Sequence, residues 1–258
     1  MNFYRGNEIY NFISNVNRYR FPNDNFWFLV YGEKNGCQPK LLIALSGYEE
    51  KEFKNKTLKL NEMELIEYIK QISRRTDVPW IYVRFNVADK NMNEVMFMAE
   101  NKRLSLINIE FYKNILEYFG LNLIDKDSQT KDFNTGGPSN IYQIWQMKIS
   151  DTMISSDIDL FKIDADNEIT DVYELKRSKI DIEKWEPFKA DYHNFQLLNN
   201  LLIKANIKFH IVYNEYTVID KSRKDNIKKV KLFNVEPSKD FKYEEPTIVS
   251  INDFFANY

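Results

Sequence analysis

Glu174-Leu175-Lys176 sets a carboxylate and an amine two positions apart in a stretch rich in β-branched and aromatic residues. Alternate side chains of a strand share a face, so Glu174 and Lys176 project together while Leu175 points the other way. Upstream, Ser156-Asp157-Ile158-Asp159-Leu160-Phe161 brings two aspartates on a second strand-like stretch, and Asp164-Ala165-Asp166-Asn167 lies between as a turn. A two-residue turn at Asp166-Asn167 sets Asp159 opposite Glu174; a four-residue loop from Asp164 to Asn167 sets Asp157 there instead. Either register puts a second carboxylate beside the first. Two carboxylates are hard oxygen ligands suited to Mg²⁺ or Mn²⁺, which keep several waters and accept phosphate oxygens. Such an ion neutralises phosphate charge and acidifies a bound water, while Lys176 orients or activates that water and stabilises the developing charge. The chemistry expected of Asp159 (or Asp157), Glu174 and Lys176 is hydrolysis of a phosphodiester.

Specific elements must position these groups. Residues 158–163 and 169–175 read as paired strands. Residues 188–204 read as a helix, with Phe188, Tyr192, Phe195, Leu198 and Leu202 spaced along it, and 208–213 as a further strand. A helix over 141–149, capped by Ser139, precedes them. A helical return between strands implies a mixed sheet with a crossover connection. Other acid-x-lysine triplets occur, at Glu49-Glu50-Lys51, Glu52-Phe53-Lys54, Glu100-Asn101-Lys102 and Asp240-Phe241-Lys242. None follows an acid-bearing strand and precedes an amphipathic helix and a strand.

With these residues and this order of elements, positions 139 to 213 resemble the PD-(D/E)XK nuclease superfamily. The resemblance implies an α/β fold: a restriction-endonuclease-like mixed central sheet flanked by helices, with an N-terminal α+β domain. It implies that Asp159 and Glu174 hold the metal, that the Leu175 carbonyl assists, and that Lys176 serves the water nucleophile. Gln196 is similar to the glutamine that RecB-like members place on the helix after the lysine, although the tyrosine they carry four residues later is here Asn200. Some members add a glutamate on the first helix, where this chain offers Gln143 and Gln146. The implied activity is an Mg²⁺- or Mn²⁺-dependent endonuclease of restriction, defence or mobile-element type. DNA is expected over RNA because most of the superfamily cuts DNA. The alternative is a catalytically inactive nucleic-acid-binding or protein-interaction module on the same fold.

The longest polar, turn-prone run, 125–138, places a boundary between residues 1–130 and 131–258. In the first part, 26–31 and 41–45 read as a hairpin, 61–75 as a helix with Asn61 and Glu64 as its capping pair, 79–85 as a strand, and 107–119 as a helix ending at Gly120. This part is expected to recognise substrate, to form a homodimer or to bind a protein partner. A different enzyme sited around Arg84 and the aromatic run Trp80 to Tyr82 is the lower-ranked rival.

The charge pattern adds a surface. Lys221, Arg223, Lys224, Lys228, Lys229 and Lys231 are opposed in their segment only by Asp220 and Asp225. With Arg177 and Lys179 beside the acidic pair, these cations are candidates for phosphate contacts. Trp185 and His210 read as core residues. Over the whole 258-residue chain, 36 basic against 38 acidic residues leave a net charge of −2, so the global field selects no ligand. At 43% hydrophobic and 15% aromatic residues the chain is a folded protein and not a disordered one. Cys37 is the only cysteine and there are two histidines, which excludes an intramolecular disulfide and argues against a Cys/His zinc site. No leader-like start and no run approaching roughly 18 apolar residues is present, so a cytoplasmic setting without a membrane is expected.

Overall fold

The computed structural model describes residues 7–14, 16–22, 25–100, 102–123, 140–150, 152–220 and 222–257. From the amino end, α1 (Glu8–Ile13) and β1 (Tyr19–Arg20) are followed by β2 (Phe26–Glu33), β3 (Gln38–Tyr48), α2 (Glu50–Phe53), α3 (Leu60–Thr76), β4 (Trp80–Asn86) and β5 (Glu94–Ala99). Next come β6 (Ser105–Asn108), α4 (Ile109–Tyr118), α5 (Asn140–Lys148), β7 (Met153–Asp157), β8 (Leu160–Ile163) and β9 (Ile169–Ser178). The remainder is α6 (Tyr192–Ala205), β10 (Lys208–Ile219), β11 (Ser222–Asn234), β12 (Thr247–Ser250) and α7 (Ile251–Asn257).

These elements make two mixed sheets flanked by helices, each in its own compact unit. Of the described residues, those from Pro22 to Asp157 form the first unit, and those from Asn7 to Phe21 join those from Ile158 onward in the second. This corrects the expected single boundary at residues 130 and 131. The polar run that suggested it lies outside the described residues, as does Ser139. The physical reason for the division is strand pairing. β7 joins β2, whereas β1 joins β8, with Tyr19 opposite Lys162 and Arg20 opposite Phe161. The first unit therefore interrupts the second between β1 and β8, and α5 belongs to the first.

The first unit's sheet has the order β6-β5-β4-β3-β2-β7. Its central strands β3 and β4 are parallel and nearly buried throughout, which is why 41–45 and 80–83 are continuous apolar runs without alternation. The crossover helix α3 starts one residue before its expected beginning. Glu62 Oε2, and not Glu64, reaches back to the Lys59 N–H at 2.7 Å. Asp77, left-handed at φ 56°, stops the helix. The expected helix over 107–119 begins two residues later, because Asn108 spends its side chain capping the Phe111 N–H at 2.8 Å.

The second unit's sheet has the order β1-β8-β9-β10-β11-β12, with β9 and β10 parallel and the other pairs antiparallel. The expected crossover is α6. Its left-handed C-cap Asn206, at φ 53°, turns the chain into β10. Tyr173, Val212, Val230 and Leu232 point to one face of the sheet, where Ile9 and Ile13 of α1 and Phe254 and Phe255 of α7 cover them. Glu174, Lys176, Ile211 and Tyr213 alternate with these residues and point to the other face, where α6 packs. Residues 222–234 are a strand. Its sheet-bound half alternates buried Val230 and Leu232 with Lys229 and Lys231, a period-two pattern that the lysines obscure in the sequence.

Candidate functional site

The hairpin between β8 and β9 decides which aspartate meets Glu174. Its turn is built on Asp164, whose Oδ1 accepts from the N–H groups of Asp166 and Glu168, each at 2.9 Å. Its carbonyl accepts from the Asn167 N–H at 3.2 Å. Asn167 sits at φ 61°, a left-handed position that asparagine tolerates. Ile163 then pairs with Ile169 but Lys162 with Asp171, so Thr170 is an extra residue in β9. Neither expected loop forms, yet this bulge restores the register of the shorter one. Leu160 faces Tyr173, and Asp159, one residue further out, lies level with Glu174. The register with Asp157 opposite Glu174 does not form, because Asp157 ends β7 opposite Leu29 in the first unit's sheet.

Asp159 is buried, and its Oδ2 accepts the Leu175 N–H at 2.7 Å. Because the N–H and C=O of one strand residue point to the same neighbour, the Leu175 carbonyl lies along that edge too. β8 begins only at Leu160, so no ladder partner covers the edge at this level. Glu174, 3% exposed, carries an ion pair to Lys176, with Nζ to Oε1 at 2.6 Å. The Lys176 side chain remains 32% exposed, and its Nζ lies 5.4 Å from the centre of the Phe195 ring on α6. The amine is therefore neither stranded in the core nor fully in solvent.

Gln196 follows Phe195 on α6 and is buried. Its Nε2 donates to Asn200 Oδ1 at 2.7 Å and to the Ser238 carbonyl at 3.1 Å. Two acceptors fix the amide orientation, and the buried Oε1 has no hydrogen-bond partner among the described residues. Asn200, at the position of the missing tyrosine, holds this amide. Ser238 is 42 positions from Gln196 in the sequence, and no local motif marks it as a partner.

The donor chemistry bears on the implied ion. Among the described residues no group of three or more His, Cys, Asp or Glu side chains gathers as a metal cluster. An ion here would have two carboxylates and one backbone carbonyl from the protein. That set is all oxygen and small in number. It fits Mg²⁺ or Mn²⁺, which complete their shells with water and substrate oxygens, and does not fit structural zinc. Gln143 and Gln146 belong to α5 of the first unit, where Gln146 accepts from Tyr31 Oη at 2.8 Å.

The candidate phosphate-binding cations divide. Arg177 is on the α1 face, opposite Lys176, and its Nη1 donates to both oxygens of buried Asp225, at 3.1 and 2.8 Å. It is an internal ion pair, which corrects its assignment as a phosphate ligand. Lys179 is exposed just past the end of β9, and Lys221 lies outside the described residues. Arg223, Lys224, Lys228 and Lys229 are exposed on β11. Among the described residues none of these four pairs with a carboxylate. Lys231 is buried, and Nζ donates to the carbonyls of Glu183 and Trp185 and to Glu186 Oε1. It pins the 183–186 segment, so that Trp185 stacks on Tyr213 at 4.2 Å. Trp185 and His210 are core residues, as expected. The His210 Nε2 lies 3.0 Å from Asp171 Oδ1 and its Nδ1 2.8 Å from Asn234 Oδ1.

Arg84, the centre of the rival site, is buried in the first unit. Nε donates to Tyr82 Oη, Nη1 to the carbonyls of Glu52 and Asn55, and Nη2 to Thr57 O and Glu62 Oε2. A guanidinium with every donor occupied by its own fold is a structural clamp.

No family model and no curated protein matches the chain. Two solved structures are similar over much of its length. One is a sex pheromone precursor from Lactobacillus salivarius subsp. salivarius, at 8% identity over 88% of this chain and 69% of that one, with a TM-score of 0.15. The other is the C-terminal domain of a sex pheromone precursor from Staphylococcus aureus, at 11% identity over 93% and 72%, also with a TM-score of 0.15. Superposition this poor supports no statement about fold or function. No helix among the described residues is long and apolar enough to cross a membrane.

Proposed function

We propose that the second unit is a divalent-metal-dependent nuclease that hydrolyses phosphodiester bonds of DNA internally, in a restriction, defence or mobile-element role. The observation that carries this reading is the placement of Asp159 against the Leu175 N–H, level with a buried Glu174 that is ion-paired to Lys176. Asp159, Glu174 and the Leu175 carbonyl would hold Mg²⁺ or Mn²⁺. When bound, the ion would polarise a phosphate oxygen and acidify a water.

The chain's own residues supply the rest. Lys176 is held beside the site by its contact to Glu174 Oε1 at 2.6 Å. Its role is to orient or activate the attacking water and to offset negative charge on the phosphoryl group. The buried Oε1 of Gln196 is an acceptor for a donor brought into the site, such as a water. A reducing, cytoplasmic setting accords with a single cysteine whose thiol burial pushes up in pKa and away from reactivity.

The second reading, a module that binds without cutting, is favoured by the small number of carboxylates at the site. The two separate in one assay. Plasmid, linear duplex, single-stranded DNA and RNA are incubated with Mg²⁺, Mn²⁺ or EDTA, using wild type, Glu174→Ala and Lys176→Ala. Metal-dependent cutting that both substitutions abolish is expected. Cutting that survives EDTA and both substitutions overturns the site assignment, and no cutting by wild type leaves the binding module.

A further inference from the structure

β10 and β11 outrun their neighbours. The last pairing of β9 with β10 is Ser178 opposite Glu215, and β12 pairs with β11 only over Lys229 to Leu232. Beyond those limits four rungs remain: Tyr216–Asp225, Thr217–Lys224, Val218–Arg223 and Ile219–Ser222. They form a two-stranded ribbon about 14 Å long, at roughly 3.4 Å per residue, with both edges unpaired among the described residues. Such a ribbon has little stability of its own. It carries Val218 and Ile219 at 46% and 52% exposure near its tip, so burial of apolar surface does not explain it.

Its charge is mainly positive, with exposed Asp220 at the turn as the opposing acid besides buried Asp225. Asp225 is neutralised by Arg177, whereas Arg223 and Lys224 on the ribbon, and Lys228 and Lys229 at its root, have no carboxylate partner among the described residues. Arg223 lies over the Tyr216 ring, 5.3 Å from its centre, which spreads the guanidinium along the ribbon surface. Asp225 shares the α1 face with Arg177, so its neighbour Lys224 points to the face that carries Glu174 and Lys176, as does Lys229 across the register shift in β11, while Arg223 lies with Tyr216 on the opposite face. Lysine charge thus runs from the acid–lysine site outward along one face of a narrow projection, and Arg223 adds positive charge on the other.

We infer that the β10–β11 ribbon is a duplex-DNA-binding arm that enters the major groove, with Arg223, Lys224 and Lys229 on the phosphates and Val218 and Ile219 toward the groove floor. A two-stranded ribbon fits the major groove of B-form DNA, which is about 12 Å wide, whereas the narrow major groove of A-form RNA excludes it. The inference deepens the nuclease reading by naming the substrate and how it is gripped, and rests on that reading only for what happens after binding.

The test is fluorescence anisotropy in EDTA with a labelled DNA duplex, its single strand, and the RNA duplex of the same sequence. The proteins are the full chain, the triple variant Arg223→Ala/Lys224→Ala/Lys229→Ala, and a control, Lys204→Ala/Lys208→Ala, at the other end of the crossover. Thermal melts verify that each is folded. The DNA duplex is expected to bind best. The triple variant should bind it at least about ten-fold more weakly, with the salt slope reduced by about 0.9 for each phosphate contact removed, and the control like wild type. Equal binding by the triple variant, a preference for single strands, or equal affinity for duplex RNA would overturn the arm. Arm-dependent binding without cleavage in Mg²⁺ removes the nuclease reading alone; cleavage that the triple variant performs as well as wild type removes the arm alone.

Discussion

Arg177 and Asp225 are joined by two hydrogen bonds across the intervening strand β10, on the face of the sheet opposite Glu174 and Lys176. Asp225 Oδ2 also accepts the Glu8 N–H at 3.0 Å, so the pair fastens the start of α1 to the base of the ribbon. Arg177→Ala is expected to cost roughly 1–3 kcal/mol in urea denaturation, because a buried carboxylate loses its cation. DNA affinity should stay at the wild-type value. Unchanged stability with weakened DNA binding would return Arg177 to the list of phosphate ligands.

Asp159→Asn and Glu174→Gln each keep the side-chain volume and remove one negative charge. Both should lower metal-dependent cutting by at least about 100-fold, because an oxygen site with so few protein ligands does not survive the loss of one. Thermal shift supplies a readout besides activity. Mg²⁺ should raise the melting temperature of wild type and not of either variant, since a ligand that binds only the folded state stabilises it. A metal-induced shift retained in Glu174→Gln would place the ion elsewhere.

At the other end of the same sheet, burial alone would raise the carboxyl pKa of Asp171. Hydrogen bonds from His210 and Thr170, with the charges of His210 and Lys162, outweigh burial and hold it below the usual aspartate value. A depressed folded-state pKa contributes stability that is fully present above the unfolded value, near 3.9, and is lost as the pH falls through the folded one. Asp171→Asn should therefore be less stable than wild type at pH 7 and 5, with the gap closing below about pH 4. Urea denaturation at pH 7, 5 and 3 checks this. A gap that widens on acidification would reverse the sign.

Arg84→Ala leaves Glu62, itself 1% exposed, without its cation and takes a donor from the carbonyls of Glu52, Asn55 and Thr57, of which Glu52 keeps the Asn55 N–H at 3.2 Å. A loss of about 3–5 kcal/mol in the first unit's unfolding transition is expected. A well-folded variant with a changed activity would instead revive the rival site.

The sequence made legible whatever depends on short-range periodicity. Glu174 and Lys176 share a face because strands alternate, and α6 follows from the spacing of Phe195, Leu198 and Leu202. The choice between Asp157 and Asp159 was not legible, since it hangs on the extra residue Thr170, and a bulge leaves no compositional trace. The interruption was hidden as well: β1 is two residues long, and its partner β8 is set by pairing between distant parts of the chain. Arg177 looked like a surface cation because Asp225, which neutralises it, is remote in sequence.

The pairing of β1 with β8 must close a loop of roughly 140 residues for only two rungs, an entropic burden that so short a ladder cannot offset alone. The interrupting unit removes much of that burden by its own topology. Its first strand β2 and last strand β7 are hydrogen-bonded neighbours, with Leu29 opposite Asp157, so its folding draws its two ends together. Assembly is then ordered in time: on the ribosome the interior unit matures first, the leading helix and strand wait unpartnered, and the sheet bearing Glu174 and Lys176 closes only after β8 has been synthesised.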